Sequence, residues 1–255
     1  MTITYARTGG IATITLNRPQ VMNALSSQMR ADLLAAVTRA RAEARVLVIT
    51  GAGRAFCSGQ DLADAAAMGE IDLGRILREE YEPLLTAIYD CPIPTIAAVN
   101  GAAAGAGANL ALACDVVIAT HSASFIQAFT RIGLIPDAGG TYWLPRQIGM
   151  ARAMGAALFA ETITAQQAAD WGMIWEAVPD DAFEAHVQAR AVHLAEGPTI
   201  AYRGVKQVLR ASFSNDIGPQ LALEAALQSD CGQTGDFTEG VAAFMEKRKP
   251  RFTGR

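Results

Sequence analysis

Two apolar strands that each run directly into a turn of glycine and alanine constrain this chain more than any other feature. Val46-Leu47-Val48-Ile49-Thr50 leads into Gly51-Ala52-Gly53. Thr95-Ile96-Ala97-Ala98-Val99 leads into residues 100–107, where only Asn100 and alanines separate Gly101, Gly105 and Gly107. Continuous apolar strands without alternation fit a parallel sheet covered on both faces. Parallel neighbours need crossovers, and helical patterns over 73–90, closed by Pro92 and Pro94, and over 108–114 supply them. A further strand is expected over 115–119. Strand, turn and helix in succession predict an α/β layered core.

The flanking segments extend this plan. Residues 3–7 and 11–16 alternate apolar and polar side chains around Thr8-Gly9-Gly10, the pattern of an antiparallel hairpin. A helix is expected over 26–44, with Met29, Leu33, Leu34 and Val37 on one stripe. Residues 51–62 and 100–107 read as loops. From Ala151 the chain reads as mainly helical, apart from a short strand over 175–178. Thr164 with Gln167, Asp181 with Glu184 and Asp236 with Glu239 have capping-box spacing. The expected organisation is an αβ core over 1–195 and a helical C-terminal region over 196–255, whose apolar faces meet neighbouring subunits.

Composition narrows the function. Of 255 residues 51% are apolar, enough for a sizeable core, and the formal net charge of -4 comes with no basic block, so nucleic acid is not an expected partner. Cys57, Cys91, Cys114 and Cys231 have no paired spacing for a metal or redox site. They read as reduced, mostly core thiols of a cytoplasmic protein. No apolar run is long enough for a bilayer, and neither metal nor cofactor is expected.

The glycine-alanine turns allow a ligand close to the backbone, and helix N-termini beyond them offer unpaired N–H groups. One donor from each turn could converge on an oxygen that gains negative charge, forming an oxyanion hole. A dinucleotide reading of Gly51-Ala52-Gly53, with Glu70 as ribose partner, fails in detail. Phe56 fills the place of a small residue, no helix begins at Gly53, and Leu110 likewise spoils the match at Gly105-Ala106-Gly107. The candidate acid or base is Asp137, within Gly133-Leu134-Ile135-Pro136-Asp137-Ala138-Gly139-Gly140-Thr141. It precedes a helix expected over 138–148 and sits where an N-cap would sit. An N-cap would favour the anion, whereas an apolar pocket would raise the pKa and make a proton carrier.

Four motifs in order carry a resemblance. Asn17-Arg18-Pro19 to Asn23-Ala24-Leu25, Phe56-Cys57-Ser58-Gly59-Gln60-Asp61-Leu62, Ala97-Ala98-Val99-Asn100-Gly101 and Ala104-Gly105-Ala106-Gly107 resemble the crotonase superfamily, also called the enoyl-CoA hydratase/isomerase family. The resemblance covers nearly the whole chain. It implies a spiral of ββα units, a homotrimer or dimer of trimers formed through the C-terminal region, and an acyl-CoA thioester as substrate, with coenzyme A part of that substrate. It also implies that the thioester oxygen accepts from the backbone N–H of Gln60 and of Ala106, each geometry worth ~3 kcal/mol in the transition state. By the same pattern the side chain of Gln60 has no required part. Coenzyme A would run along Ala24, Ser58, Asp61 and Leu62, with Lys247 at a phosphate. Arg18, Arg54 and Lys247 read equally well as solvated surface charge.

Hydratases of this family place two glutamates where this chain has Asn109 and Phe129, so hydration is not the expected reaction. Asp137 occupies the position at which certain family isomerases carry a single acid/base. Residues 133–141, Trp143-Leu144-Pro145-Arg146, Trp171-Gly172-Met173-Ile174-Trp175 and the ending Phe252-Thr253-Gly254-Arg255 resemble the branch that converts ring-epoxidised phenylacetyl-CoA to an oxepin and moves β,γ double bonds into conjugation. Tyr81, Phe129 and Trp143 are candidates to line a ring-sized pocket or to be core. Alternatives are an enoyl-CoA hydratase of fatty-acid β-oxidation, a covalent role for Asp137 as in aroyl-CoA dehalogenases, and a non-catalytic acyl-CoA or RNA-binding relative.

Overall fold

The computed structural model describes residues 1–63 and 72–255, and Glu70 lies outside them. The hairpin forms as expected: β1 (Ile3–Thr8) and β2 (Ile11–Leu16) pair antiparallel around Gly9 and Gly10. Helix α1 (Ser27–Glu43) follows, capped by the Ser26 hydroxyl, which accepts from the Met29 N–H at 3.3 Å. It returns the chain to β3 (Val46–Gly51), which lies parallel to β2.

From β3 onward one unit repeats. β3, β5 (Thr95–Val99) and β7 (Val116–Thr120) lie side by side and parallel in the larger sheet, of order β1-β2-β3-β5-β7-β10, where β10 is Glu176–Val178. Each is followed by a three-residue strand of a second sheet: β4 (Ala55–Cys57), β6 (Ala102–Ala104) and β8 (Ser124–Ile126). This sheet has the order β4-β6-β8-β9, with β9 at Ile163–Thr164. A helix closes each unit. Helix α2 (73–89) carries a π-helical stretch, Leu77–Tyr81, between the α-helical turns Leu73–Ile76 and Glu82–Tyr89. Its counterparts are α3 (Ala106–Leu112) and α4 (Gly140–Phe159), the latter broken into two helical segments at Gly149 (φ 77°, ψ 161°). Every unit advances one strand in both sheets, which makes the chain a ββα spiral.

The short strands replace what reads as loop in the sequence. Alanine-rich segments of three residues carry no two-residue alternation, so only pairing with neighbouring turns identifies them. Their close spacing requires glycine. A Cβ at Gly107 would collide with the Cys57 carbonyl oxygen, because the first turn of α3 packs directly on the end of β4.

The larger sheet is covered on both faces, as its apolar strands require. Helix α6 (Phe183–Glu196) lays Phe183, Val187, Ala191 and Ala195 over Ile11, Val46, Val48, Ile96 and Ile118. Ile14, Leu47, Ile49 and Val99 belong to the main core, which also takes in Met29, Leu33 and Val37 of α1. Cys57, Cys91 and Cys114 are buried, Cys231 is half-buried, and all four are free thiols.

Beyond β8, Thr164 and Gln167 form the expected capping box of α5 (Ala165–Asp170). The other two do not form. Helix α6 is flanked by Ala182 without a side-chain cap, and α9 (Gly235–Met245) starts under Thr234. Asp236 is instead buried and accepts from the N–H groups of Thr253 and Gly254 at 2.7 and 2.8 Å, holding the C-terminal tail against α9. Helix α7 (Thr199–Ala211) is tied to the spiral by Lys206 and Arg210, each 2.6 Å from Asp115. Helix α8 (Ile217–Gly232) buries no residue of its own, and Ile217 and Phe244 are 74% and 82% exposed. No helix among the described residues is long and apolar enough to cross a membrane.

Two glycine substitutions should act in opposite directions. Gly107→Ala puts a methyl into the Cys57 carbonyl and should destabilise by ~3 kcal/mol or more. Gly155→Ala, in a helix with nothing near its added Cβ, should stabilise by ~0.5–1 kcal/mol. Urea midpoints of the two variants check both signs.

Candidate active site

The site is built where two turns pass with no side chain between them. Gly59 has φ 96°, and a Cβ on it would stand 2.8 Å from the Ala104 oxygen and 3.4 Å from the Ala106 nitrogen. The next residue, Gln60, forms a parallel bridge with Leu25: the Leu25 N–H donates to Gly59 at 2.8 Å, and the Asp61 N–H to Leu25 at 3.2 Å. The Gln60 N–H itself has no acceptor among the described residues. Ala106 opens α3 after Gly105 (φ 52°), and its N–H is one of the unpaired donors of a helix start. Both residues line one cavity of about 290 Å³ together with Asp137.

Asp137 is not the cap of α4. Ala138 (φ 48°) and Gly139 (φ 82°) are both left-handed, so the helix begins at Gly140 with Gly139 at the cap position. What bonds locally is the Asp137 carbonyl, which accepts from the Gly140 N–H at 2.8 Å and from Asn109 Nδ2 at 2.7 Å. The carboxylate is left in the cavity wall, and its Oδ1 is buried without a hydrogen-bond partner among the described residues. Desolvation alone lifts its pKa from the ordinary 3.8 to about 6. The tension between cap and pocket is decided for the pocket, because two left-handed residues intervene between carboxylate and helix.

The other expected site residues divide. Phe129 is buried and lines the cavity, as do Ser58 and the exposed Leu62. Ala24 and Asp61 are joined by Arg18, whose Nη1 donates to the Ala24 carbonyl at 2.6 Å and to the Asp61 carboxylate at 2.8 Å. Arg18 is thus engaged and is not a purely solvated charge. Asn109 is fully buried behind the wall: Nδ2 holds Asp137, and Oδ1 accepts from Gln127 Nε2 at 2.9 Å. It therefore supports the Asp137 turn and does not face the cavity. Lys247 is exposed beyond α9 and outside the cavity lining. Of the aromatic candidates, Tyr81 lines the cavity, whereas Trp143 stacks with Tyr89 and Tyr142 at ring distances of 5.0 and 4.8 Å.

Sequence reasoning missed Arg30, Glu80 and Arg131. Arg131 lines the cavity and donates to the Ala160 carbonyl at 2.6 Å. Arg30 is 1% exposed and pairs with Glu80 at 2.5 Å behind Gln60. Nothing in the letters separates Arg30 from the other arginines of α1, since its burial depends on a partner fifty residues away.

Free N–H donors and a desolvated carboxylate around one apolar cavity fit a class of enzyme that stabilises an oxyanion while moving a proton. The chain belongs to the enoyl-CoA hydratase/isomerase family, whose model matches residues 6–255. It is accordingly an enzyme acting on CoA thioesters. It is 66% identical over 254 residues to a Rhodobacter capsulatus protein named "Probable enoyl-CoA hydratase", covering 100% of this chain and 98% of that one. To the 1,2-epoxyphenylacetyl-CoA isomerase of Escherichia coli K12 it is 45% identical over 251 residues, covering 96% of each. Among solved structures, the enoyl-CoA hydratase of Bacillus anthracis superposes with a TM-score of 0.95 at 34% identity over 100% of both chains.

The raised pKa also predicts a stability effect. A carboxyl that binds its proton more tightly when folded makes stability fall as pH rises from about 4 through about 6. Asp137→Asn removes that penalty. It should match the parent at pH 4 and exceed it at pH 7.5 by roughly 1–2 kcal/mol, a figure discounted for partial solvent access. Denaturation at the two pH values measures it.

Proposed function

We propose that the protein is an acyl-CoA isomerase with Asp137 as its single acid/base. One observation carries this reading: among the described residues, Asp137 is the only carboxylate in the cavity wall. A hydratase must hold and split a water, and the positions where the family keeps glutamates carry a buried amide, Asn109, and a hydrophobic ring, Phe129. A lone base near pKa 6 suffices to remove the proton from the carbon beside the thioester. The enolate oxygen is held by the N–H groups of Gln60 and Ala106, and the proton returns further along the acyl chain. No atom is gained or lost.

The substrate proposed is ring-1,2-epoxyphenylacetyl-CoA, rearranged to the oxepin thioester, with β,γ-unsaturated thioesters taken to α,β. Support comes from the cavity wall, where the rings of Tyr81 and Phe129 stand with Leu73, Ile76, Leu77 and Leu134, and from the 45% identity to the isomerase of Escherichia coli. Coenzyme A would follow the rim at Ala24, Ser58, Asp61 and Leu62, with Lys247 near a phosphate and no separate cofactor. The exposed apolar side chains of α7 to α9 support contact with further copies of this chain, and the assembly proposed is a cytoplasmic homotrimer or dimer of trimers built through residues 196–255. An enoyl-CoA hydratase is the second reading, favoured by the name of the 66% identical relative.

Intact-thioester mass spectrometry separates the two. A β,γ-unsaturated acyl-CoA should give an α,β product of unchanged mass, and Asp137→Asn should lose ~10²–10⁴ of the rate. Rapid gain of one water by an α,β-unsaturated substrate would establish the hydratase instead.

A further inference from the structure

The family pattern gives the Gln60 side chain no part, because only the N–H of that residue meets substrate. In the structure that side chain is the centre of a buried polar cluster. Its Oε1 accepts from Arg30 Nη1 at 2.9 Å and from the Tyr81 hydroxyl at 2.6 Å. Two donors on one atom fix which end of the amide is oxygen. The same Arg30 Nη1 donates to the Leu25 carbonyl at 2.6 Å. Arg30 Nε and Nη2 close on Glu80 Oε2 at 3.0 and 2.5 Å, and its guanidinium lies 4.8 Å from the Tyr81 ring centre. Glu80 and Tyr81 both belong to the π-helical stretch of α2, a local irregularity often found at functional sites.

Leu25 and Gln60 are the two partners of the bridge that sets the backbone beside the cavity. Arg30 therefore holds both sides of that bridge with one nitrogen. The peptide that carries the Gln60 N–H is held on one side, where its Gly59 carbonyl accepts from the Leu25 N–H at 2.8 Å; beyond it, Arg30 and Tyr81 fix the Gln60 side chain. A buried ion pair is in general a poor source of stability compared with apolar packing. A rigid fork that reaches a carbonyl, an amide and a carboxylate together is suited to holding geometry.

We infer that Arg30 and Tyr81 are positioning residues, which act through the side chain of Gln60 to aim its N–H at the thioester oxygen. This rests on the reading of that N–H as an oxyanion donor, and the test distinguishes the two. Gln60→Met keeps the backbone N–H and the side-chain length but accepts neither hydrogen bond. Arg30→Lys keeps a charge opposite Glu80 without spanning Leu25 and Gln60. Tyr81→Phe removes one donor only. Each variant is bound to phenylacetyl-CoA carrying ¹³C at the thioester carbonyl, which has no double bond or epoxide to isomerise, and the carbonyl band is followed by isotope-edited infrared spectroscopy.

In the parent protein the band moves to lower frequency on binding. Gln60→Met and Arg30→Lys lose most of that shift, and Tyr81→Phe part of it. For a β,γ-unsaturated thioester, Gln60→Met and Arg30→Lys lower kcat by ~10- to 100-fold with little change in KM. The band is read from bound ligand alone, so reduced folding yield does not move it, and Gln60→Met carries the test should Arg30→Lys fail to fold. A shift present in the parent and undiminished in the variants, with only the melting temperature lowered, overturns the positioning role and leaves the oxyanion reading standing. No shift in the parent overturns both.

Discussion

The site depends on two stretches of backbone that run past each other with nothing but hydrogen between them. Gly107 lies on the Cys57 carbonyl, and Gly59 lies on Ala104 and Ala106. Any larger residue at either point would separate β4 from the start of α3, and with them the N–H groups of Gln60 and Ala106. On the proposed reading these donors cost no reorganisation, because the Leu25–Gln60 bridge and the start of α3 hold them. The ββα spiral supplies the repetition: each turn of the chain sets a short second-sheet strand beside the previous one, so equivalent loops from successive units meet at one edge.

Asp137 comes from the third unit and owes its chemistry to what does not touch it. Its carbonyl is fixed by Asn109, which Gln127 holds in turn. Its carboxylate has a buried oxygen that meets no donor among the described residues. Had the chain placed a serine or an arginine there, the pKa would stay near or fall below 4 and the group would be a poor base at neutral pH. Asn109 thus supports the turn that carries Asp137 and offers the cavity no carboxylate. On the proposed reading, that absence is what favours proton transfer over hydration.

Much of this was legible in the letters. The apolar strands, the hairpin, the glycine-alanine turns and the isolated Asp137 follow from periodicity and from the conformational freedom of glycine, which act locally. Strands β4, β6 and β8 were not legible, because three small residues carry no pattern until a neighbour pairs with them. Asp181 and Asp236 have capping spacing yet do not cap. Spacing alone cannot tell that Asp236 is needed by a tail that returns from position 253. Arg30 and Glu80 depend on contact between α1 and the π-helical stretch of α2, and the side-chain role of Gln60 emerges only from that contact.

The most direct test of this account is the titration of Asp137 itself, followed by ¹³C NMR of the side-chain carboxyls in protein labelled at aspartate and assigned by comparison with Asp137→Asn. Asp137 should give a resonance that titrates near pH 6 and vanishes in the variant. A value for Asp137 at or below 4 would mean that water or a hydrogen-bond donor reaches the carboxylate, and the single-base mechanism would lose its physical ground.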